Sequence, residues 1–443
     1  MTEASQSTPS STRTQEVLAG QADFIFPCVK PLYDEPIVLE SGEGVRVRDA
    51  DGREYLDFFS GILTTSVGHC HPEVVGAVTE QMGRLGHTST LYVTEPQVEA
   101  ARRLADIAPG DLKNTFFTNS GTEAIETAIM IACMYTGRSE VVALRKGYHG
   151  RSFLATSATA QAAWRPLATP VAGIKHAISP YPYRCPFKQP CDETCAEAFA
   201  RDVEEVIVTT TNGKPAAFIA ETVQGVGGYI VPPEGYFQRV AEIIRSYGGL
   251  LIIDEVQAGF GRTGRWFGIE HWDVEPDIMV MAKGIGNGMP VGATITRDEI
   301  AEAWTGKTIS TFGGNPVSMA GVAATLDVLK RENAPSNAQQ RGTELWAGLL
   351  EMKTRHHWIG DARGMGLMQA MELVEDRDTK EPSPQKAKAL LEAAKDEGLL
   401  LGVGGLNGHV IRIGPSLLIT EEEVAEGLNK LHAACDRVTR DSL

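Results

Sequence analysis

The chain has 443 residues, 42% hydrophobic and 22% charged, with a formal net charge of −16. That length exceeds one small core and calls for two domains, or a large α/β domain with a smaller partner. The negative balance argues against nucleic acid or an anionic membrane as the main partner, and no apolar run approaches the ~20 residues of a membrane-spanning helix.

Seven cysteines, mostly isolated, fit a reducing compartment and a cytoplasmic location. Residues 1 to about 20 are rich in Ser, Thr and Gln and are expected to be disordered. A transit peptide is a poor match, because this tail holds one arginine, Arg13, beside Glu3 and Glu16. From Ile37 to Phe59 the pattern predicts short strands around an Asp51-Gly52 turn. Ser60 to Pro72, with its small residues and glycines, suits a loop lining a site, or an ordinary loop before a helix starting near Pro72. His69, Cys70 and His71 are adjacent on a turn and seldom point to one centre, so no metal is assigned to them. Glu99 to Ile107 reads as a helix with Ala100, Ala101, Leu104 and Ile107 as its apolar stripe.

Thr115 to Ala124 is a short strand that runs into Ser120-Gly121-Thr122 and then a helix. A helix start with free N–H groups and added hydroxyls suits an anion, although plain capping by Ser or Thr needs the same residues. Val141 to Leu144 is another strand, followed by Gly147-Tyr148-His149-Gly150. An aromatic between glycines could stack on a planar ring, or be a simple turn tyrosine. Ser179 to Cys195 is a Pro-rich insert with Cys185, Cys191 and Cys195, whose spacing lacks a CxxC pair and an evident fourth ligand for zinc. Ala216 to Glu221 is a buried strand ending in an acid, and the next helix begins near Gly235.

Two stretches carry the chemistry. Gly249-Leu250-Leu251-Ile252-Ile253-Asp254 is a continuous apolar run ending in an acid, with a Gly-rich loop after it. Ile278-Met279-Val280-Met281-Ala282-Lys283 is the same form ending in a lysine. Such runs are strands buried on both faces of a parallel sheet, and ligands bind at the carboxyl ends of those strands. A lysine amine can form a Schiff base with a carbonyl cofactor. Pyridoxal phosphate also needs an acid to keep its pyridine nitrogen protonated. A helix-capping Asp and an unrelated Lys would be the plain alternative, but a buried strand rarely ends in an unpaired charge.

Ser310 to Pro316 is a second Gly-rich loop with hydroxyls, and a helix is expected from about Pro316 to Arg331. The remainder reads as a small α+β unit, with strands at Gly366 to Leu373 and Val410 to Ile413 and a helix at Pro384 to Glu397. A capping-box start at Thr420 opens the last helix.

Together these stretches resemble the class III aminotransferases, of pyridoxal-phosphate fold type I, from about residue 35 to the C-terminus. The most specific part is Asp254-Glu255-Val256-Gln257 with Gly259 to Gly264, then Ala282-Lys283-Gly284. Phe59 to Pro72, Gly83 to Thr90, Asn119 to Ala124, Ala282 to Asn287 and Thr311 to Pro316 are most similar to the alanine–glyoxylate type. The resemblance implies a large domain with a mostly parallel sheet flanked by helices, over residues 71–325. It implies a small α+β domain over 326–443, and a segment, 21–70, packing with the latter.

It also implies the following roles. Lys283 would carry pyridoxal phosphate and move the proton, and Asp254 would pair with the pyridine nitrogen. Gln257 would contact the ring hydroxyl, Ser120, Gly121 and Thr122 would hold the phosphate, and Tyr148 would stack on the ring with His149 beside it. Thr311 would reach the phosphate of a neighbouring subunit, which implies a homodimer with shared sites. Arg412 would clamp the substrate carboxylate as a bidentate fork. Where 4-aminobutyrate and ornithine members have a glutamate that masks this arginine, the present chain has Val226. That favours small substrates held by an α-carboxylate, such as alanine with glyoxylate or pyruvate. The alternatives are an ω-amino acid or amine transaminase, a pyridoxal-phosphate lyase on the same scaffold, and a non-catalytic protein of this fold.

Overall fold

A computed structural model describes residues 11–166, 171–187 and 193–441. Its centre is a seven-stranded sheet. In spatial order the strands are Asn114–Thr118, Gly292–Thr296, Ile278–Ala282, Leu250–Asp254, Ala217–Glu221, Val141–Leu144 and Ile174–Ala177. Gly292–Thr296 runs antiparallel to both neighbours, and the other pairings are parallel. The continuous apolar runs are explained by burial on both faces. Phe218, Leu251, Ile253 and Met279 pack into one cluster with the helices Glu193–Thr210 and Tyr236–Ser246. Ile219, Ile252, Ile278 and Val280 pack into the other with Gly121–Thr136.

Two four-stranded sheets flank this unit. One joins Leu39–Glu43, Arg46–Asp49 and Glu54–Asp57 to Leu399–Leu400, so the N-terminal strands pair with the C-terminal part of the chain. The other contains Ile359–Met365, Met368–Leu373, Val410–Ile413 and Gly402–Gly404. Thr420 opens the helix Glu421–Asp441 as a reciprocal box, its hydroxyl accepting from Glu423 N and its N–H bonding the Glu423 carboxylate. No helix among the described residues is long and apolar enough to cross a membrane.

The structure departs from expectation in four places. The tail expected to be disordered to about residue 20 is helical over Thr12–Phe24. Ser11 caps that helix, and Ser11 N and the Thr14 hydroxyl both donate to Asp51 Oδ1, so a tertiary contact orders a segment of weak apolar pattern. The helix expected from Glu99 begins at Glu95, with Pro96 in its first turn, where a missing N–H costs nothing. The expected boundary at residue 325 falls inside an unbroken helix, Pro316–Arg331. The long helix Ala334–Arg355 was not anticipated, although Pro335 stands in its first turn; Asn333 before it sits in the left-handed region and makes no side-chain cap bond. Of the three insert cysteines, Cys191 lies outside the described residues, and the Cys185 and Cys195 sulfurs are 3.8 Å apart.

Candidate active site

Three neighbouring parallel strands end side by side in Glu221, Asp254 and, one residue past its strand, Lys283. Glu221 is the register partner of Asp254, and Asp254 pairs with Val280 on the lysine strand. These strand ends floor a cavity of about 350 Å³. Ser120, Gly121, Thr122, Tyr148, His149, Asp254, Gln257 and Lys283 all line it. The fold therefore gathers eight of the ten residues singled out from the sequence. Arg412 lies beside this cavity rather than in its wall, and Thr311 is exposed on the surface of the single chain.

Lys283 opens a short 3₁₀ turn with φ of +49°, a left-handed conformation that a lysine adopts only when its surroundings impose it. Part of its side chain faces the cavity, and among the described residues no hydrogen bond or ion pair engages its Nζ. Burial lowers its pKa below the usual lysine range; Asp254 and Glu221 oppose that shift, and Arg412 adds to it. A lysine so placed holds more of the unprotonated, nucleophilic amine.

Asp254 is almost fully buried. Its Oδ1 accepts from Val256 N at 3.0 Å, and its Oδ2 lies 2.8 Å from His149 Nδ1. Burial alone would lower the His149 pKa, but the hydrogen bond and charge of Asp254 leave it raised. His149 also donates its backbone N–H to the Thr159 hydroxyl at 2.9 Å. The His149–Asp254 pairing links residues 105 apart, and no local pattern in the sequence signals it.

The helix Gly121–Thr136 points its N-terminus at the cavity, so that, among the described residues, the Gly121 and Thr122 N–H groups are left for an anion. Ser120 also serves as the plain cap, accepting from Glu123 N at 3.3 Å, so both sequence readings apply to one residue. The Thr122 hydroxyl accepts from Arg151 N. This close approach requires glycine at 150, where φ is +123° and a Cβ would fall 2.4 Å from Thr122 Oγ1.

Arg412, on the strand Val410–Ile413, is buried with its guanidinium carbon 5.0 Å from the Phe59 ring centre and 5.7 Å from that of Tyr229. Its Nε donates to Val403 O at 3.1 Å and its Nη1 to Gly225 O at 3.5 Å. Among the described residues no carboxylate lies within ion-pair distance of it.

Sequence reasoning missed Glu221 as a site residue, seeing only a strand-end acid. The Ser60 to Pro72 stretch, read as a loop lining a site or as an ordinary loop, reaches the cavity through Thr64, which the strained turn of Ser60, Ile62 and Leu63, all at positive φ, brings there.

The donor set fits pyridoxal phosphate. A lysine amine without a partner among the described residues, a strand-end carboxylate, a helix N-terminus and a flanking aromatic surround one cavity. The buried atoms His149 Nε2 and Gln257 Oε1 also lack partners among the described residues. Fold and site define a pyridoxal-phosphate enzyme of fold type I. The chain belongs to the class-III aminotransferases, whose family model, "Aminotransferase class-III", matches residues 29–435. It is 41% identical to alanine–glyoxylate aminotransferase 2 homolog 2, mitochondrial, of Arabidopsis thaliana, over 92% of this chain and 84% of that protein. It is 42% identical to acetylornithine aminotransferase of Methanopyrus kandleri, over 89% of this chain and 93% of that one. A thermostable (S)-enantioselective ω-transaminase from Thermomicrobium roseum superposes with a TM-score of 0.89 at 35% identity, covering 97% of this chain and 100% of that structure. The protein is thus a pyridoxal-phosphate-dependent transaminase acting between amino and 2-oxo compounds.

Proposed function

We propose that this transaminase moves the amino group of alanine, or a similar small amino acid, to glyoxylate or pyruvate. The observation that carries this reading is the unmasked Arg412: a buried guanidinium with no carboxylate at ion-pair distance among the described residues and with Val226 in the position of the masking glutamate. A permanently available fork orients each substrate by its α-carboxylate. The alanine–glyoxylate relative supports the same class.

Pyridoxal phosphate supplies the aldehyde that takes the amine and the electron-withdrawing ring that makes the substrate Cα–H acidic. The chain supplies the rest. Ser120, Gly121 and Thr122 would bind the phosphate, and Thr311, exposed on the single chain, would reach the same group from a second copy. Asp254 would hold its negative charge against the ring nitrogen, and His149 fixes the orientation of that carboxylate. Gln257 would contact the ring hydroxyl, and Tyr148 would stack on the ring. Lys283 would hold the group through its amine and, as general base, would move the substrate proton from Cα to the cofactor carbon that bore the aldehyde. Arg412 holds the carboxylate so that the Cα–H points toward Lys283.

The dimer in this reading has a surface to match. Met82, Leu91, Tyr92, Val93, Ile309 and Phe312 are exposed large apolar residues on segments that meet through the His87–Phe312 ring contact. The test of substrate class is a panel of amino donors against pyruvate, glyoxylate and 2-oxoglutarate. Alanine with glyoxylate should give the highest kcat/KM, and a preference for acetylornithine or for amines lacking a carboxylate would overturn the assignment.

A further inference from the structure

Glu221 has no part in the roles above, yet it lines the same cavity and is 4% exposed. It stands opposite Asp254 in strand register. Its Oε1 accepts the Tyr148 N–H at 2.9 Å, and its Oε2 accepts the Gly225 N–H at 2.7 Å. The Tyr148 amide belongs to the loop that lines the cavity, and the Gly225 amide to the segment that meets Arg412. Gly225 packs against the Gln257 amide so closely that a Cβ would fall 2.2 Å from its Nε2, and its carbonyl accepts from Arg412 Nη1. A single carboxylate therefore fastens both segments to one strand end.

Two amide N–H groups could be met by a neutral acceptor at lower cost, since burying a charge is expensive unless other charges answer it. Here they do. His149 on the aromatic loop, Lys283 past the next strand and Arg412 on the small-domain sheet interact favourably with a charged Glu221, against the like charge of Asp254 on the adjacent strand. We propose that Glu221 is a positioning carboxylate for transamination. Its charge stabilises the protonated form of the nitrogen carried by Lys283, and its two amide bonds keep Tyr148 and Arg412 in register. Burial, with the nearby Asp254 adding to it, pushes the Glu221 carboxyl up to about 7, so this charge appears as the pH passes neutrality. The proposal rests on the reading that Lys283 carries the cofactor.

Two variants separate charge from geometry. Glu221→Gln keeps the length but loses the charge and one acceptor; Glu221→Asp keeps the charge but withdraws from both amides. The measurement is the pH titration of the cofactor's visible absorption in each holoenzyme, alongside KM for alanine. In Glu221→Gln the midpoint should fall by about one pH unit, the lower end for loss of one close charge. In Glu221→Asp it should stay near wild type. KM should rise about tenfold in both, the worth of one charge-assisted hydrogen bond. A merely structural Glu221 would move neither titration. Borohydride fixation in the wild type tells the two readings apart. Label away from Lys283 would overturn both, whereas label on Lys283 with an unshifted Glu221→Gln titration would overturn the Glu221 proposal alone.

Discussion

Val226→Glu builds into this chain the mask that ω-amino members of the resembled families carry. The geometry permits it. A Cβ placed on Gly404 would lie 2.9 Å from Arg412 Cδ and 3.1 Å from Val226 O, so residues 226 and 412 flank the same glycine. Val226 O is also fastened by Gly405 N at 2.9 Å, so the new side chain would start from a fixed backbone. Arg412 commits Nε and one Nη1 proton to carbonyls, which leaves donors for a carboxylate. A hydrogen bond to a charged group is worth about 1.5–3 kcal/mol net. Taking about 2 kcal/mol as the cost of displacing the mask, KM for alanine should rise about 30-fold. A substrate that leaves the introduced carboxylate paired with Arg412, such as 4-aminobutyrate, incurs no such cost. The assay is kcat/KM for alanine and for 4-aminobutyrate, with glyoxylate as acceptor, in wild type and variant. The alanine preference should drop at least about tenfold. A wild type that already prefers 4-aminobutyrate, or a ratio that does not move, would refute the gate and the substrate class with it.

Lys283→Ala should abolish turnover while the chain still folds, and borohydride followed by peptide mapping of the wild type should find the cofactor on Lys283 alone. Asp254→Asn should keep the cofactor but lower kcat by about 4 kcal/mol, the worth of one preorganised electrostatic group; near-normal kcat would refute the electron-sink role. The same variant tests the His149 pair through pH. Because Asp254 raises the His149 pKa, the pair's contribution is fully present below the unfolded histidine value of about 6.5 and is lost as pH rises through the folded value. The gap in urea midpoint between wild type and Asp254→Asn should be widest near about pH 6 and shrink toward about pH 9; a gap that widens with pH would refute the pairing. Arg262 is fully buried and donates to the carbonyls of Leu367 and Pro415, so Arg262→Ala should cost about 3 kcal/mol of unfolding free energy through unpaired carbonyls and a cavity. A loss under about 1 kcal/mol would show that water replaces it.

What the sequence determined by itself was local or periodic. Apolar runs closed by Asp254 and Lys283 read as buried strands because both faces of the sheet are covered, and the ends of those runs are where the site lies. The Gly121–Thr136 helix start and the Thr420 box were legible because capping is settled within a few residues. The tertiary structure decided what depends on long loops closing. It paired His149 with Asp254, fastened Tyr148 to Glu221 and brought the Arg412 guanidinium to Gly225, 187 residues away. It also ordered the N-terminal helix through Asp51, a contact spanning 37 residues from Thr14. Such contacts leave no period in the chain, because a partner brought in by folding can come from any distance and is chosen by position in space, not by spacing in sequence.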